Sequence, residues 1–424
     1  MANFLDRVLY FISVVLNRID LYRYRGNIPR MVKKLRAKDK IKVLFVLSDL
    51  AVWKTEGLYK IMLEHARFEP IIGTTLLTAD IASESIKKYK SLIEYLTEKK
   101  YQYIELYCGN IQEIAADITF YQQPYESFIS EKVSYLVQSK AKSLLCDVHY
   151  SMRTLSIQKK NKWVIDQQLY RYCWQIYVEN KLTAKLGNIS LIKGKNIVVT
   201  GMPIQDELSI SKDKLVDPWK NQSVSKKRII YAPHHSLSVT NSFISISCFL
   251  EVGDLMLELA EKYQNKVQIA FKPHPFLRKK LIKLWGVERT ENYYARWATM
   301  ENTQLEEGEY LGLFKYSDAM IHDCDSFTIE YCYIKKPILF LVSPQMERIR
   351  RDDLNEFAQK ALDLHDKGFT KVDIEAFILR VIEGEDSLIN QREKFYNNYL
   401  LPPHGKSASL NIVNAILGVE EYKI

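Results

Sequence analysis

The chain has 424 residues, 47% apolar and 26% charged, which is the composition of a globular protein with room for two or three domains. No segment approaches the roughly 20 consecutive apolar residues needed to span a bilayer. The net charge of +9 is uneven, because the first 40 residues carry ten Lys and Arg against three Asp. The remainder is close to neutral, which argues against a nucleic-acid partner.

The six cysteines show no C-x-x-C pair and no histidine at metal-ligand spacing. Neither a disulfide framework nor a zinc site is indicated, so we expect a reduced, cytoplasmic setting. The apolar run Val8 to Leu16 has the length of a signal-peptide centre, but Asp6, Arg7 and Arg18 bracket it and no small-residue cleavage site follows. We therefore expect it to be retained.

Residues 1–40 predict a basic amphipathic arm. Apolar residues recur there at three- and four-residue spacing, followed by Tyr22, Arg23, Tyr24 and Arg25. Such a helix with a cationic, aromatic flank suits an anionic membrane surface. The same pattern also fits a helix packed on the body of the protein with a solvated basic face, and the sequence leaves both interpretations open.

From Ile41 onward, buried strand patterns alternate with helical patterns, which predicts parallel sheets covered by helices on both faces. We expect one Rossmann-like domain over 41–195 and a second over 196–424, with a final helix crossing back over the first. Within the first domain, Trp163 to Glu179 is predicted to be helical, and the second begins with a strand at Ile197 to Thr200. Two such domains facing each other across a cleft make the GT-B architecture.

Polar clusters follow the strands of the second domain, on the side where open α/β sheets bind ligands. His234, His235 and Ser236 follow one strand, and Lys272 and His274 follow the next. Because consecutive parallel strands are usually neighbours, these side chains should converge on one site, together with Arg278. Histidine can take a proton from a hydroxyl or, when charged, balance a phosphate. For each histidine taken alone, a structural hydrogen bond is the competing interpretation.

The stretch Ala319 to Phe340 reads as strand, loop, helix and strand, with the loop at the amino end of the helix. Unpaired amides and the helix dipole favour an anion there, so this loop is a candidate seat for a phosphate or pyrophosphate. Asp325 or Ser326 is the predicted N-cap. Glu330, one turn along the helix, could accept hydrogen bonds from ribose hydroxyls or be an ordinary helical glutamate.

Near the end of the chain, Gly405, Lys406 and Ser407 precede an apolar helix. They are not a P-loop, because Leu400 stands where its first glycine belongs and no strand leads in. A helix start with Lys and Ser could still touch a phosphate.

Five motifs occur in an order that resembles the CDP-glycerol glycerophosphotransferase family, whose members build teichoic acids and related polymers. They are Y-A-P-H-H-S (231–236), F-K-P-H-P (271–275), Y-S-D-A-M-I-H-D-C-D-S-F-T-I-E-Y (316–331), K-P-I (336–338) and H-G-K-S-A-S (404–409). The resemblance is best over residues 196–417. It implies a GT-B fold and transfer of glycerol phosphate, or a related alditol phosphate, from a CDP-activated donor to an acceptor hydroxyl. Asp323-Cys324-Asp325 is the one formal D-x-D motif, but GT-B enzymes generally work without a metal, so we expect no metal and no cofactor.

The resemblance also implies site residues. His274 matches the family's essential histidine in K-x-H-P, and Asp323 and Ser326 match the aspartate and second serine of a D-Y-S-S loop that contacts the donor diphosphate. His274 is therefore an expected catalytic residue. The expected donor-binding set joins Asp323 and Ser326 to the residues singled out above, which are Lys272, Arg278, Ser236, Glu330 and Ser407. The partners implied are CDP-glycerol or a related CDP-alditol, a lipid-linked glycan acceptor and the inner face of the cell membrane.

The chain departs from the family pattern at two places. The T-W-H-G motif with a second catalytic histidine has no match, and residues 123–126 stand in its region, so the general base could be His234, His235 or Glu126. Asp325 replaces the first serine of D-Y-S-S and places a negative charge beside the expected phosphate. Two alternatives therefore stay open: a GT-B glycosyltransferase with a nucleotide-sugar donor, and a non-catalytic scaffold of an envelope assembly complex.

Overall fold

The computed structural model describes residues 2–78, 82–107, 111–123, 125, 129–155, 165–237, 247–342, 344–419 and 422. For residues 2–16 only the backbone is described. Two compact units account for the described residues, one within Met1–Ser151, Lys160–Asp206 and Pro402–Ile424, the other within Met152–Lys159 and Glu207–Leu401. Within the described ranges, no helix is both long enough and apolar enough to cross a bilayer.

The first unit contains a seven-stranded sheet in the order β3-β2-β1-β4-β5-β6-β7, with every pairing parallel. The strand Ile41–Leu47, which lies between two other strands of this sheet, is buried at six of its seven residues, as its largely apolar sequence predicts for a sheet covered on both faces. The strands, in chain order, are β1 (Ile41–Leu47), β2 (Phe68–Thr74), β3 (Tyr103–Glu105), β4 (Ile118–Tyr121), β5 (Leu144–Val148), β6 (Gln175–Val178) and β7 (Ile197–Val199).

The second unit contains a six-stranded parallel sheet in the order β10-β9-β8-β11-β12-β13. In the middle of the sheet, β8 lies between β9 and β11, and Tyr231 pairs in register with Phe271 on one side and Ile321 on the other. The strands are β8 (Lys227–Ala232), β9 (Val267–Phe271), β10 (Thr303–Leu305), β11 (Ala319–His322), β12 (Ile338–Leu341) and β13 (Asp366–Gly368).

Helices connect the strands of both units, as a parallel sheet requires. In chain order they are α1 (Ala2–Arg36), α2 (Glu56–Glu64), α3 (Ala82–Glu98), α4 (Tyr135–Lys140), α5 (Gln168–Tyr172), α6 (Lys181–Lys185), α7 (Pro203–Leu208), α8 (Phe249–Lys262), α9 (Leu277–Trp285), α10 (Val287–Thr299), α11 (Leu311–Lys315), α12 (Asp325–Glu330), α13 (Pro344–Asp353), α14 (Glu356–Leu362), α15 (Lys371–Glu383), α16 (Ile389–Phe395) and α17 (Ala408–Leu417).

Two predictions in the first unit are wrong. The helix predicted from Trp163 to Glu179 is a short helix followed by β6, which is fully buried between β5 and β7. The strand at Ile197 extends the first sheet instead of opening the second, because it pairs with β6. The final helix α17 lies in the first unit, where Asn411 Nδ2 donates to the carbonyl of Thr200 at 2.9 Å.

The second half of α1 packs on the first unit. Tyr24 and Ile28 are buried in its core, and the Tyr24 hydroxyl donates to the carbonyl of Ser143 at 2.7 Å. On other sides of this helix, Tyr22 is 83% exposed and Arg23 lies in solvent. Packing on the body, one of the two interpretations of the arm, therefore holds for this part of the helix.

Candidate functional site

Three histidines meet at the carboxyl edge of the second sheet. His234 and His235 follow β8, and His274 follows the neighbouring β9. Their ring centroids are 4.3 Å apart for His234 and His235, 5.0 Å for His234 and His274, and 4.2 Å for His235 and His274. The convergence predicted from strand order is confirmed, and we call these residues the histidine cluster.

The two loops that carry the cluster are tied together through the backbone. The amide of Lys272 donates to the carbonyl of Tyr231 at 2.8 Å, and the amide of His274 donates to the carbonyl of Pro233 at 3.1 Å. The prolines fix the backbone angles on either side of these contacts. The cluster is therefore set by rigid chain at the ends of two adjacent strands.

Backbone contacts also assign the ring nitrogens. Nδ1 of His274 accepts from the amide of Phe276 at 3.1 Å, which leaves the proton of the neutral ring on Nε2. Nδ1 of His234 lies 2.8 Å from the Ser236 hydroxyl oxygen and 3.2 Å from the Ser236 amide. Nδ1 of His235 is buried and has no hydrogen-bond partner in the described part of the chain. Ser236 thus orients His234.

The environment keeps all three rings neutral. Burial lowers the pKa of His234 to about 2, with smaller contributions from the two other histidines, Arg350 and Lys280. Burial and Lys280 lower the pKa of His235 to about 4. Burial lowers the pKa of His274 to about 3, with smaller contributions from His235, Lys280 and Lys272. At neutral pH the cluster itself carries no charge, while its surroundings are cationic.

Two lysines supply that positive charge at the cluster. Lys280 on α9 is half-buried and acts electrostatically on all three histidines. Lys272 is buried, its Nζ donates to the carbonyl of Gly308 at 2.6 Å, and burial lowers its pKa. The sequence identified Lys272 but missed Lys280, because nothing distinguishes it from the other basic residues of α9.

The histidine cluster has one property of a metal centre, since its potential ligand atoms lie within 4.8 Å of one another. Tetrahedral zinc would need ligand nitrogens roughly 3.3 Å apart, each with its second nitrogen donating a proton elsewhere. Nδ1 of His274 instead accepts a hydrogen bond from an amide. The positive charges of Lys272, Lys280 and Arg350 would also repel a metal cation. Neutral N–H donors among cations suit an anion better.

Asp323 binds the loop that carries His234 and His235. It is fully buried, its Oδ1 accepts from the amide of His234 at 2.5 Å, and its Oδ2 accepts from the Ser247 hydroxyl at 3.0 Å and the Cys248 amide at 2.8 Å. Three donors of the protein thus share the two carboxylate oxygens, which gives Asp323 a positioning role, and its expected contact with the donor diphosphate stays a prediction. Burial raises the pKa of Asp323 to about 6 against the effect of these hydrogen bonds.

The negative charge of Asp325 is paired. Arg350 on α13 binds its Oδ1, and the same guanidinium nitrogen donates to the carbonyl of Asp323 at 3.2 Å. The side chain of Arg350 is only 4% exposed and its guanidinium lies 4.9 Å from the ring centre of Phe340. No pattern in the sequence linked this arginine to the loop.

The helix of the loop begins one residue earlier than predicted. Cys324 is the N-cap of α12, so the prediction of Asp325 or Ser326 is wrong, and Ser326 Oγ lies 3.2 Å from the Cys324 sulfur. Glu330 is buried, and its charge and hydrogen bond help to raise the pKa of Tyr310 after the larger effect of burial. Its expected contact with ribose stays a prediction.

Two of the expected site residues, Arg278 and Ser407, are not part of this cluster. Arg278 pairs with Glu291 and with Glu307, so its guanidinium is engaged elsewhere on the second unit. Ser407 belongs to the first unit, where its hydroxyl accepts from the amide of Leu410 and caps α17. Glu126 lies outside the described residues.

Comparison with known proteins gives a family match and structural matches. The sequence model of the family described as CDP-glycerol:poly(glycerophosphate) glycerophosphotransferase matches residues 153–417. None of the curated proteins matches the chain significantly.

Several solved structures share the fold at low sequence identity. The wall teichoic acid polymerase TagF aligns over 95% of this chain and 97% of its own, with 13% identity and a TM-score of 0.56. The UDP-GlcNAc 2-epimerase of Neisseria meningitidis bound to UDP-GlcNAc aligns over 88% and 98%, with 18% identity and a TM-score of 0.54. MnaA of S. aureus with UDP aligns over 89% and 96%, with 16% identity and a TM-score of 0.53. These matches show the GT-B-like α/β fold.

Proposed function

The chain belongs to the CDP-glycerol:poly(glycerophosphate) glycerophosphotransferase family, and from this premise we propose that its histidine cluster holds the diphosphate of CDP-glycerol during transfer. The chain is a CDP-glycerol-dependent transferase of teichoic-acid-like synthesis. The proposal concerns which of its residues bind the donor, which of them move the proton, and where in the cell the reaction takes place.

The proposal is supported by the close approach of three neutral histidines, with two lysines beside them, at the carboxyl edge of the second sheet. The match to the family includes all five of these residues. A diphosphate bound there would accept hydrogen bonds from the N–H groups of His274 and its neighbours and would lie near the ammonium group of Lys280. Such preorganised donors and cations stabilise charge that develops in a transition state.

The reaction needs an attack in line with the departing CMP. The acceptor hydroxyl oxygen forms a bond to the phosphorus that carries glycerol, and the bond from this phosphorus to the bridging oxygen breaks. CMP leaves with that oxygen, and the hydroxyl proton passes to a base. In this scheme the Nε2–H group of neutral His274 donates a hydrogen bond to the departing CMP, and Lys280 balances the charge that gathers there.

The base is one of His234, His235 and Glu126. Among the two described candidates, Nδ1 of His234 is bound to Ser236, whereas Nδ1 of His235 is buried without a partner among the described residues, so both stay candidates. Replacing the true base should lower kcat by about 10²–10⁴-fold with a smaller change in the donor KM. The single variants His234→Gln, His235→Gln and Glu126→Gln identify it.

Direct binding tests the donor assignment. Calorimetry with CDP-glycerol, CMP and a UDP-sugar should give clear binding of the two cytidine ligands and none of the UDP-sugar. Tight UDP-sugar binding would instead support a glycosyltransferase. Absence of any nucleotide binding would support a scaffold.

The acceptor and the site of action are further proposals. We expect a lipid-linked glycan acceptor in cell-envelope or capsule synthesis and peripheral association with the inner face of the cell membrane. This is supported by α1, where Tyr22 and Ile19 are 83% and 41% exposed and Arg18 and Arg23 lie in solvent. Cationic and aromatic side chains together favour anionic lipid surfaces.

A flotation assay tests the membrane proposal. The protein should float with vesicles containing phosphatidylglycerol and stay behind with pure phosphatidylcholine, and Arg18→Ser/Arg23→Ser should weaken the binding. Lys279→Ser/Lys283→Ser removes the same charge from α9 and serves as the control. Equal behaviour of both double variants would contradict a specific role of α1.

A further inference from the structure

Asp325, which follows β11 by three residues, carries a negative charge, and its only ion pair among the described residues is with Arg350. The side chain of Asp325 is 22% exposed, whereas that of Arg350 is 4% exposed, so the pair lies at the boundary between the loop and the protein interior. An unpaired carboxylate here would face the site where the diphosphate is expected. Its repulsion would act over a few ångströms in partly buried surroundings, where charges are poorly screened.

The same arginine is connected to the histidine cluster. Its guanidinium donates to the carbonyl of Asp323, and the carboxylate of Asp323 accepts from the amide of His234. A hydrogen-bonded path therefore runs from Arg350 through one residue to the cluster. The positive charge of Arg350 also acts on His234.

We propose that Arg350 is a positioning residue for donor binding. It neutralises Asp325 and holds residues 323–326 in place against His234. The proposal rests on the proposed function, since it assumes that a diphosphate binds at this edge. It explains how this chain tolerates an acidic residue beside its phosphate site. Arg350 is not assigned a direct phosphate contact, because its guanidinium is buried and already bound to Asp325, the Asp323 carbonyl and the Phe340 ring.

A double-mutant cycle that removes each of the two charges tests the proposal. The measured quantity is the Kd for CDP-glycerol, determined by calorimetry. Arg350→Gln should raise Kd at least about tenfold, because it leaves Asp325 unpaired. Asp325→Ser should stay within about threefold of wild type, and the double variant Arg350→Gln/Asp325→Ser should recover most of the loss.

Arg351→Gln is the matched control. It removes the neighbouring arginine of the same helix, which pairs with Asp363 at 2.6 Å and is 40% exposed, and it should leave Kd unchanged. Should Arg350→Gln fail to fold, the comparison of the double variant with Asp325→Ser still decides the question.

Three results would overturn the proposal. These are wild-type affinity in Arg350→Gln, a strong loss in Asp325→Ser, or a double variant as weak as the single arginine variant. The last would mean that Arg350 itself binds the donor. Failure of the wild-type protein to bind CDP-glycerol is a separate result and would count against the proposed function.

Discussion

The amide of His234 and the buried carboxylate of Asp323 form a 2.5 Å hydrogen bond between the ends of two adjacent strands, β8 and β11. The carboxylate also holds the amide of Cys248, at the start of α8, so three segments of chain meet on one side chain. Asp323 therefore fixes the position of the loop that carries His234 and His235.

Asp323→Asn should reduce both stability and activity. The amide side chain keeps one accepting oxygen, so at least one of the Ser247, Cys248 and His234 donors loses its acceptor. Removing one partner of a buried, charge-assisted hydrogen bond costs about 1.5–3 kcal/mol, and urea unfolding should show a loss of that size. The control Asp363→Asn removes a half-exposed carboxylate of the same unit and should cost less than about 1 kcal/mol. Equal losses would contradict the role given to Asp323.

Lys280→Gln should weaken donor binding by about tenfold, since it removes a cation beside all three histidines. Lys279→Gln, which neutralises the adjacent exposed lysine, is the control and should have little effect. The measurement is the donor KM at constant ionic strength. A larger effect of Lys279 than of Lys280 would show that the cluster is not the phosphate site.

Acid should destabilise the protein below about pH 6.5. The pKa values of His234, His235 and His274 are lowered to about 2, 4 and 3, so the unfolded chain binds protons that the folded chain does not. Unfolding free energy therefore falls as pH drops from the unfolded value near 6.5 toward the folded values, by up to about 1.4 kcal/mol per pH unit per histidine. Asp323, with a pKa raised to about 6, opposes this trend between about pH 4 and 6.

Denaturant unfolding at pH 7.0 and 5.5 measures this effect. The triple variant His234→Gln/His235→Gln/His274→Gln should lose less stability than wild type over that interval, although it retains Asp323. The same loss in both proteins would contradict neutral, buried imidazoles in the cluster.

Chelation should leave the reaction unchanged. The cluster offers N–H donors among cations, so we expect full activity after EDTA treatment and desalting. Initial rates with CDP-glycerol before and after treatment are the measurement. Activity that disappears and then returns with added zinc would show that the three histidines bind a metal after all.

Much of the second unit could be predicted from sequence, because its central strands are short apolar runs that end in chemically distinctive residues. The run Val267–Phe271 identifies a buried strand, and K-P-H-P identifies the rigid loop at its carboxyl end. Neighbouring strands then bring His234 and His274 together without further information. In the first unit, the helix predicted over Q-I-Y-V is wrong because a run of four such residues has no decisive period.

The parts that sequence could not predict are contacts between distant side chains. Arg350 lies on α13 and reaches the loop of α12, and nothing in its local sequence distinguishes it from Arg351, which faces Asp363. The same holds for Lys280 beside Lys279. The role of Asp323 was also missed, since a motif identifies a residue type at a position but not the protein donors that surround it once folded.

His274 is proposed to serve transfer from CDP-glycerol, and the decisive measurement is CMP release from CDP-glycerol in the presence of lipid-linked acceptors. Wild type is compared with His274→Ala and with the control His65→Gln in the first unit. We predict rapid release by wild type and the control, and a loss of about 10²–10³-fold in His274→Ala. Near-normal turnover by His274→Ala would contradict the account.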